Sequence, residues 1–118
     1  MVILTTTFNC ENYIEKCLSS IMSQNFKDFK CYITDDLSTD GTISLVKKII
    51  KGDNRFILIE NKEKLYQPGN YDQIIRLQDV DDEEICLEVD GDDWLPNSGV
   101  FNFIHNIYKN NSDIWMTS

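Results

Sequence analysis

Three carboxylates stand within four residues at Asp90, Asp92 and Asp93, directly after the apolar run 85–89. Like charges at this spacing repel one another. A fold keeps them close only where a cation neutralises them or water screens them. Carboxylate oxygens are hard ligands, suited to Mg²⁺ or Mn²⁺. A calcium loop of the EF-hand type fits poorly. Its fifth position needs an oxygen ligand and its sixth a glycine, and Trp94 and Leu95 stand there. The alternative for the cluster is a solvated turn in which an aspartate caps the next helix.

A second acidic pair, Asp35-Asp36, follows the run 29–34. An aspartate at the end of a strand often closes a turn or caps a helix. As an exposed strand-end carboxylate in a pocket, Asp36 can instead accept the imide N–H of a uracil, thymine or guanine ring, and it repels the acceptor edge of cytosine. Near the N-terminus, Phe8 offers a flat face on which a base can rest, or packs in the core. Thr6 offers a hydroxyl donor, although threonine is also common in strands.

These groups need a scaffold that brings them together. Short apolar runs alternate with helical periodicity along the chain, the pattern of an α/β layer fold. Strands are expected at 2–5, 29–34, 56–59, 85–89 and 114–116. Helices are expected over 13–22, over 43–50 with Asp40 as N-cap and Gly52 as its stop, over 71–77, and from Pro96-Asn97 through Tyr108. The segment 61–69 reads as a polar loop. The expected architecture is an open, mostly parallel sheet with helices on both faces and strand order 3-2-1-4. Ligands bind such sheets at the carboxyl ends of the strands. Strand one ends in Thr5-Thr6-Thr7-Phe8-Asn9, strand two in Asp35-Asp36, and strand four in Asp90-Gly91-Asp92-Asp93-Trp94. All three clusters should converge on one edge. The 118 residues form one domain, truncated after the fifth strand or a minimal version of a larger fold.

Composition narrows the classes of function. Eleven Lys and Arg oppose twenty Asp and Glu, a net charge of −9. That argues against nucleic acid as a partner, because phosphates need a basic face. Nine acidic residues and no basic one lie between Asp79 and Asp93, and the stretch 79–84 reads as a solvated loop. No apolar run approaches the roughly 20 residues of a membrane span, and no basic region precedes the first apolar stretch as in a signal peptide. Cys10, Cys17, Cys31 and Cys86 form no CxxC pair and the single His105 is remote from them, which argues against zinc. They read as reduced core residues of a cytoplasmic protein, one that can still work peripherally at a membrane.

The stretch TTTFNCENYIEKCLSSIMSQNFKDFKCYITDDLSTDGT resembles the opening of the inverting glycosyltransferases of family 2, which have the GT-A fold. The likeness rests on Phe8-Asn9, on Cys17-Leu18-Ser19-Ser20-Ile21 with Gln24, on Asp28-Phe29, on the DDxSxDGT motif from Asp35 to Thr42, and on EVDGDDWL around the acidic triplet. It runs along nearly the whole chain. The resemblance implies that Asp36 holds the base of a nucleotide-sugar, with Thr6 and Phe8 lining the base pocket. Asp92 and Asp93 match the metal-motif acids, one facing the ribose and one a Mn²⁺ or Mg²⁺ ion, and Asp90 matches the first acid of the motif's DxDD form. Asn70 matches an asparagine beside the diphosphate, and Asn9 and Gly91 complete the expected donor site. Gly69 stands where members commonly carry an arginine, with Lys62 or Lys64 as alternative cations for a phosphate.

The reaction so implied is direct displacement at the anomeric carbon of a nucleoside-diphosphate sugar, UDP-linked in the first instance. The acceptor is a carbohydrate or lipid-linked hydroxyl. Members carry the acceptor site and the catalytic base in a second half, so no catalytic base is expected within these 118 residues. An apolar edge left for that half would favour self-association. Other readings stay open: a non-catalytic nucleotide- or nucleotide-sugar-binding module, an inactive fragment, or a plain interaction domain. A receiver-type signalling domain is disfavoured, because its acid pair follows the first strand and it needs a lysine after the fifth.

Overall fold

The structure is a computed structural model that describes residues 1–78, 80 and 84–110. Eight elements follow in the order β1 (Val2–Thr7), α1 (Ile14–Met22), β2 (Lys30–Asp35), α2 (Thr42–Ile50), β3 (Phe56–Glu60), α3 (Tyr66–Leu77), β4 (Cys86–Glu88) and α4 (Val100–Asn110). Among the described residues the sheet order is β3-β2-β1-β4, as the sequence implies, and every pairing is parallel. The register pairs Thr7 with Asp35 and Asp35 with Glu60. The carboxyl ends of the first three strands are therefore level, and their loops emerge together.

Alternation along the strands feeds two apolar layers. Ile3, Cys31 and Ile33 face α1, α2 and α4 through Ile14, Cys17, Leu18, Ile21, Val46 and Phe101. Val2, Leu4 and Tyr32 face the other way, against Ile74 of α3. Helices thus cover both faces. β1 is buried on both sides, which is why its first three residues read as an unbroken apolar run.

Gln24 is a buried polar residue with a clear task. Its Nε2 donates to the carbonyls of Ser20 and Asn97, at 3.1 and 2.7 Å, and its Oε1 accepts the Phe101 N–H at 3.0 Å. One side chain thereby ties the end of α1 to the first turn of α4, whose N–H groups lack helical partners.

Several boundaries differ from expectation. α3 begins at Tyr66, not at 71, so Pro68 and Gly69 lie inside its first turns. Proline is tolerated there because those N–H groups have no partner within the helix. α4 begins at Val100, and Pro96-Asn97 lies before it in a turn where Asn97 Oδ1 accepts the Gly99 N–H. Gly41, not Asp40, immediately precedes α2, yet Asp40 Oδ1 accepts the Thr42 N–H at 2.9 Å. Cys10, Cys17 and Cys31 are buried free thiols, but Cys86 is exposed. It sits on β4, the last strand of the described sheet, where one side has no neighbour. The expected strand at 114–116 and most of the 79–84 loop lie outside the described residues. No helix among the described residues is long and apolar enough to cross a membrane.

Candidate functional site

The ends of β1, β2 and β4 and the start of α3 enclose a cleft of about 350 Å³. Thr6, Phe8, Asn9, Asp36, Asn70, Asp90, Gly91 and Asp92 all line it, so the eight residues expected in a donor site meet in one place. Asp93 stands beside them: one carboxylate oxygen each from Asp90, Asp92 and Asp93 lie within 4.8 Å of one another. A larger hollow of about 620 Å³ opens at the other end of the sheet, around Met1, Lys30, Arg55 and Glu84. It faces the amino ends of the strands, and no such acid cluster lines it among the described residues.

Two aspartates build the floor of the cleft in different ways. Asp35 is spent on structure. Its carboxylate accepts from Thr7 Oγ1 at 2.8 Å and from the Ser38 N–H and hydroxyl at 2.9 and 2.6 Å. That turn carries Leu37 through φ +68°, a costly conformation for leucine, so the bonds to Asp35 hold it in place. Asn9 braces the same loop, its Oδ1 accepting the Thr39 N–H at 2.7 Å.

Asp36 departs from expectation. It is 4% exposed, not an open strand-end carboxylate. Its Oδ1 accepts the Leu65 N–H at 2.9 Å and Asn61 Nδ2 at 3.1 Å, and its Oδ2 accepts the Tyr66 N–H at 2.9 Å. Lys64 Nζ lies 3.6 Å from Oδ2 and donates to the Asp36 carbonyl at 3.2 Å. Burial pushes this carboxyl upward, but the N–H of Leu65, the Asn61 amide, the N–H of Tyr66 and the Lys64 charge outweigh it, and the group lies below the usual carboxylate range. Asp36 thus supplies the acceptor for the two N–H groups at which α3 starts. Asn61 Nδ2 also reaches Asn70 Oδ1 at 2.5 Å, which fixes the buried Asn70 on the same side.

At the acidic end, Asp90 Oδ1 accepts from Thr6 Oγ1 at 3.2 Å, Gln67 Nε2 at 2.9 Å and Tyr71 OH at 3.1 Å. Burial, helped by the charges of Asp90 and Glu88 and opposed by the bond to Gln67, pushes the Tyr71 phenol up to about 12. Gly91 lies where no side chain fits: a Cβ would meet Cys10 Sγ at 2.8 Å, Thr7 Cγ2 at 2.9 Å and Thr6 O at 3.1 Å. This close approach lets the Gly91 N–H reach Thr6 O at 2.9 Å, and the chain then turns so that Asp92 and Asp93 are exposed.

The donor set of the trio suits a hard divalent ion. It is all oxygen, it carries three negative charges, and two of its members are exposed. No Lys or Arg ion pair with any of the three is formed among the described residues.

Thr7, part of the strand-one cluster, lines the cleft too, and further lining that sequence reasoning missed is Cys10, Tyr13, Tyr66 and Gln67. Cys10 is buried, and burial pushes its thiol up to about 11, so it is a packing group. Lys64, weighed only as a surface cation for phosphate, lies against Phe8 and Asp36 instead. His105 stacks on Phe26 with ring centroids 4.7 Å apart, away from the cleft.

An open parallel α/β sheet with this acid-bearing edge is the architecture of the GT-A glycosyltransferases. The family described as glycosyl transferase family 2 matches residues 2–118, and the chain belongs to it. The glycosyltransferase GlyA of Streptococcus pneumoniae is 26% identical over 114 residues, which is 97% of this chain and 16% of that protein. The GalNAc(5)-diNAcBac-PP-undecaprenol β-1,3-glucosyltransferase of Campylobacter jejuni is 36% identical over 67 residues, 57% of this chain and 21% of that protein. Among solved structures, S. aureus TarS 1–349 in complex with UDP-GlcNAc superposes with a TM-score of 0.78 at 25% identity, covering 94% of this chain and 31% of that one. The mannosyltransferase PcManGT from Pyrobaculum calidifontis, in complex with GDP-Man and Mn²⁺, gives 0.73 at 23% identity, with 85% and 29% covered. The chain spans less than a third of the length of each of these relatives.

Proposed function

We propose that this chain is the donor-binding part of a glycosyltransferase and holds a UDP-sugar in the cleft at the carboxyl ends of β1, β2 and β4. The observation that carries the reading is the convergence of Thr6, Phe8, Asp36, Asn70, Asp90 and Asp92 on one cleft of about 350 Å³, from four separate stretches of sequence. The UDP-GlcNAc complex of the related TarS supports uridine as the nucleoside.

Asp36 offers the acceptor for a ring N–H, Phe8 a face for the base, and Thr6 a hydroxyl beside it. Asp92 would face the ribose, and Asn70 would stand beside the diphosphate. Asp92 and Asp93, with Asp90 next to them, would hold Mn²⁺ or Mg²⁺. When bound, that ion neutralises the negative charge that grows on the departing diphosphate. In the reaction the acceptor hydroxyl oxygen bonds to the anomeric carbon, the bond from that carbon to the diphosphate oxygen breaks, and a base removes the hydroxyl proton. The base and the site for a carbohydrate or lipid-linked acceptor would come from a part of the enzyme outside these residues, a reading supported by the chain's spanning less than a third of the length of GlyA and of TarS 1–349. This chain supplies the grip on the leaving group.

Isothermal calorimetry tests the reading. UDP should bind in Mn²⁺ or Mg²⁺ and lose most of its affinity in chelator, because a diphosphate repels three uncompensated carboxylates. Asp92→Asn and Asp93→Asn should weaken binding in metal while leaving the circular dichroism spectrum unchanged. Equal affinity with and without metal would reassign the triplet to turn structure.

A further inference from the structure

The side chain of Asp90 is held from one side only. Thr6 Oγ1, Gln67 Nε2 and Tyr71 OH all donate to the same oxygen, Oδ1, at 3.2, 2.9 and 3.1 Å, and Gln67 Nε2 also donates to Tyr71 OH at 2.8 Å. Gln67 and Tyr71 are one turn apart on α3 and so share a face. Three donors on one oxygen fix the plane of the carboxylate and leave Oδ2 outside this network. Asp90 is also the least exposed member of the acidic trio, whose other two members are exposed. A carboxylate that must approach two others gains from donors that offset its charge and stop it rotating away.

We propose that Tyr71 and Gln67 are positioning residues for the cation site: through Oδ1 they orient Asp90 so that its second oxygen is presented to a divalent ion shared with Asp92 and Asp93. The proposal rests on the metal reading given above and adds to it a role for the first two turns of α3. Partners behind a metal-ligating carboxylate set its orientation, and losing one costs metal affinity without touching the ion. Tyr71 is partly buried against the layer formed by Val2, Leu4, Tyr32 and Ile74, so its ring stays fixed while its hydroxyl does the holding. Gln67 is exposed at the cleft rim and has no comparable packing role.

The experiment titrates Mn²⁺ alone into the protein and follows free hexaaquo Mn²⁺ by electron paramagnetic resonance, with no nucleotide present. Tyr71→Phe keeps the ring and removes the hydroxyl; Gln67→Met keeps length and helix preference and removes the amide. Each should weaken Mn²⁺ binding, with a loss of roughly 10–100-fold for the pair combined, while the melting temperature of the metal-free protein stays close to that of the parent. If the parent binds Mn²⁺ and both variants bind it equally well, the positioning role is overturned and the metal reading stands. If the parent itself binds none, both fall together. Should Tyr71→Phe fold poorly, exposed Gln67 decides the matter, and unchanged affinity in Gln67→Met overturns the proposal.

Discussion

The ammonium of Lys64 lies 3.2 Å from the centroid of the Phe8 ring. The same group is 3.6 Å from Asp36 Oδ2. Lys64 therefore stands on the face and beside the carboxylate that the proposed base would use. The contact is a cation–π interaction at a half-exposed ring, since Phe8 is 51% exposed.

A base that stacks on this face must displace Lys64. The displaced contact is worth about 0.5–2 kcal/mol. Lys64→Met should thus bind uridine more tightly than the parent, by roughly two- to thirty-fold. Uridine is the right probe because it has no phosphate with which the lysine can pair again. Chemical-shift titration by nuclear magnetic resonance gives the two dissociation constants. Weaker binding in the variant would make Lys64 a contact of the base itself.

Asp36 carries a pH dependence whose direction follows from its bonds. Its carboxyl is held below the ordinary range in the folded chain, so the unfolded chain takes up the proton first as pH falls. The stability it contributes is full above about pH 4, the unfolded-state value, and is lost as pH drops through the folded-state value. Asp36→Asn should flatten the decline of melting temperature below about pH 4. At neutral pH it should also cost about 1–3 kcal/mol, because two main-chain N–H groups and the Asn61 amide lose a charged acceptor. Thermal melts from pH 2.5 to 7 compare the two proteins. Curves of the same shape would show that the bonds to Leu65 and Tyr66 do not depend on the charge.

The contrast between β1 and α3 shows where sequence reading stops. β1 was legible because both its faces are buried, which forces an apolar run that no surface strand needs. The strand-end acids were legible because parallel topology sends every carboxyl end to one edge. The start of α3 was not, since Pro68-Gly69 reads locally as punctuation. What sets that start is Asp36, 29 residues from Leu65 in sequence and reached only through the tertiary fold. Gln67 and Tyr71 were hidden for the same reason, as their partner Asp90 is 23 and 19 residues away. Cys86 is exposed on β4, which pairs with β1 alone among the described residues, and a short apolar run does not reveal its place in a sheet.

Gly91 is a steric requirement of the strand-end crossing. An alanine Cβ would press on Cys10 Sγ, Thr7 Cγ2 and the Thr6 carbonyl, all within 3.1 Å. Two of these belong to β1 and its backbone has little freedom to retreat. Gly91→Ala should lower stability by about 1–3 kcal/mol, read as a shift in the denaturation midpoint. Cys10→Ala in the same chain should recover only part of it, because the Thr6 and Thr7 contacts remain. Full stability in the single variant would show that the Gly91 loop can move without cost.

The last expectation concerns turnover. Among the described residues, the carboxylates that line the cleft are Asp36, Asp90 and Asp92. Asp36 accepts from Leu65, Asn61 and Tyr66, and Asp90 from Thr6, Gln67 and Tyr71. Under the proposed function Asp92, like its neighbour Asp93, would serve ribose and metal. In that assignment Asp36 serves the base and Asp90 the metal, so none is left to take the proton of an acceptor hydroxyl. A general base contributes typically about 10²–10⁴-fold, and with the acceptor site outside these residues, as proposed, the gain from holding two reactants together is forgone as well. These 118 residues alone should therefore bind the donor and transfer no sugar. Incubation with several nucleotide-sugars, simple acceptors and Mn²⁺, followed by mass spectrometry for glycosylated product, makes the comparison. Product that forms reproducibly and disappears with Asp92→Asn would place a working base within these residues, and the division of labour proposed here would have to be redrawn around it.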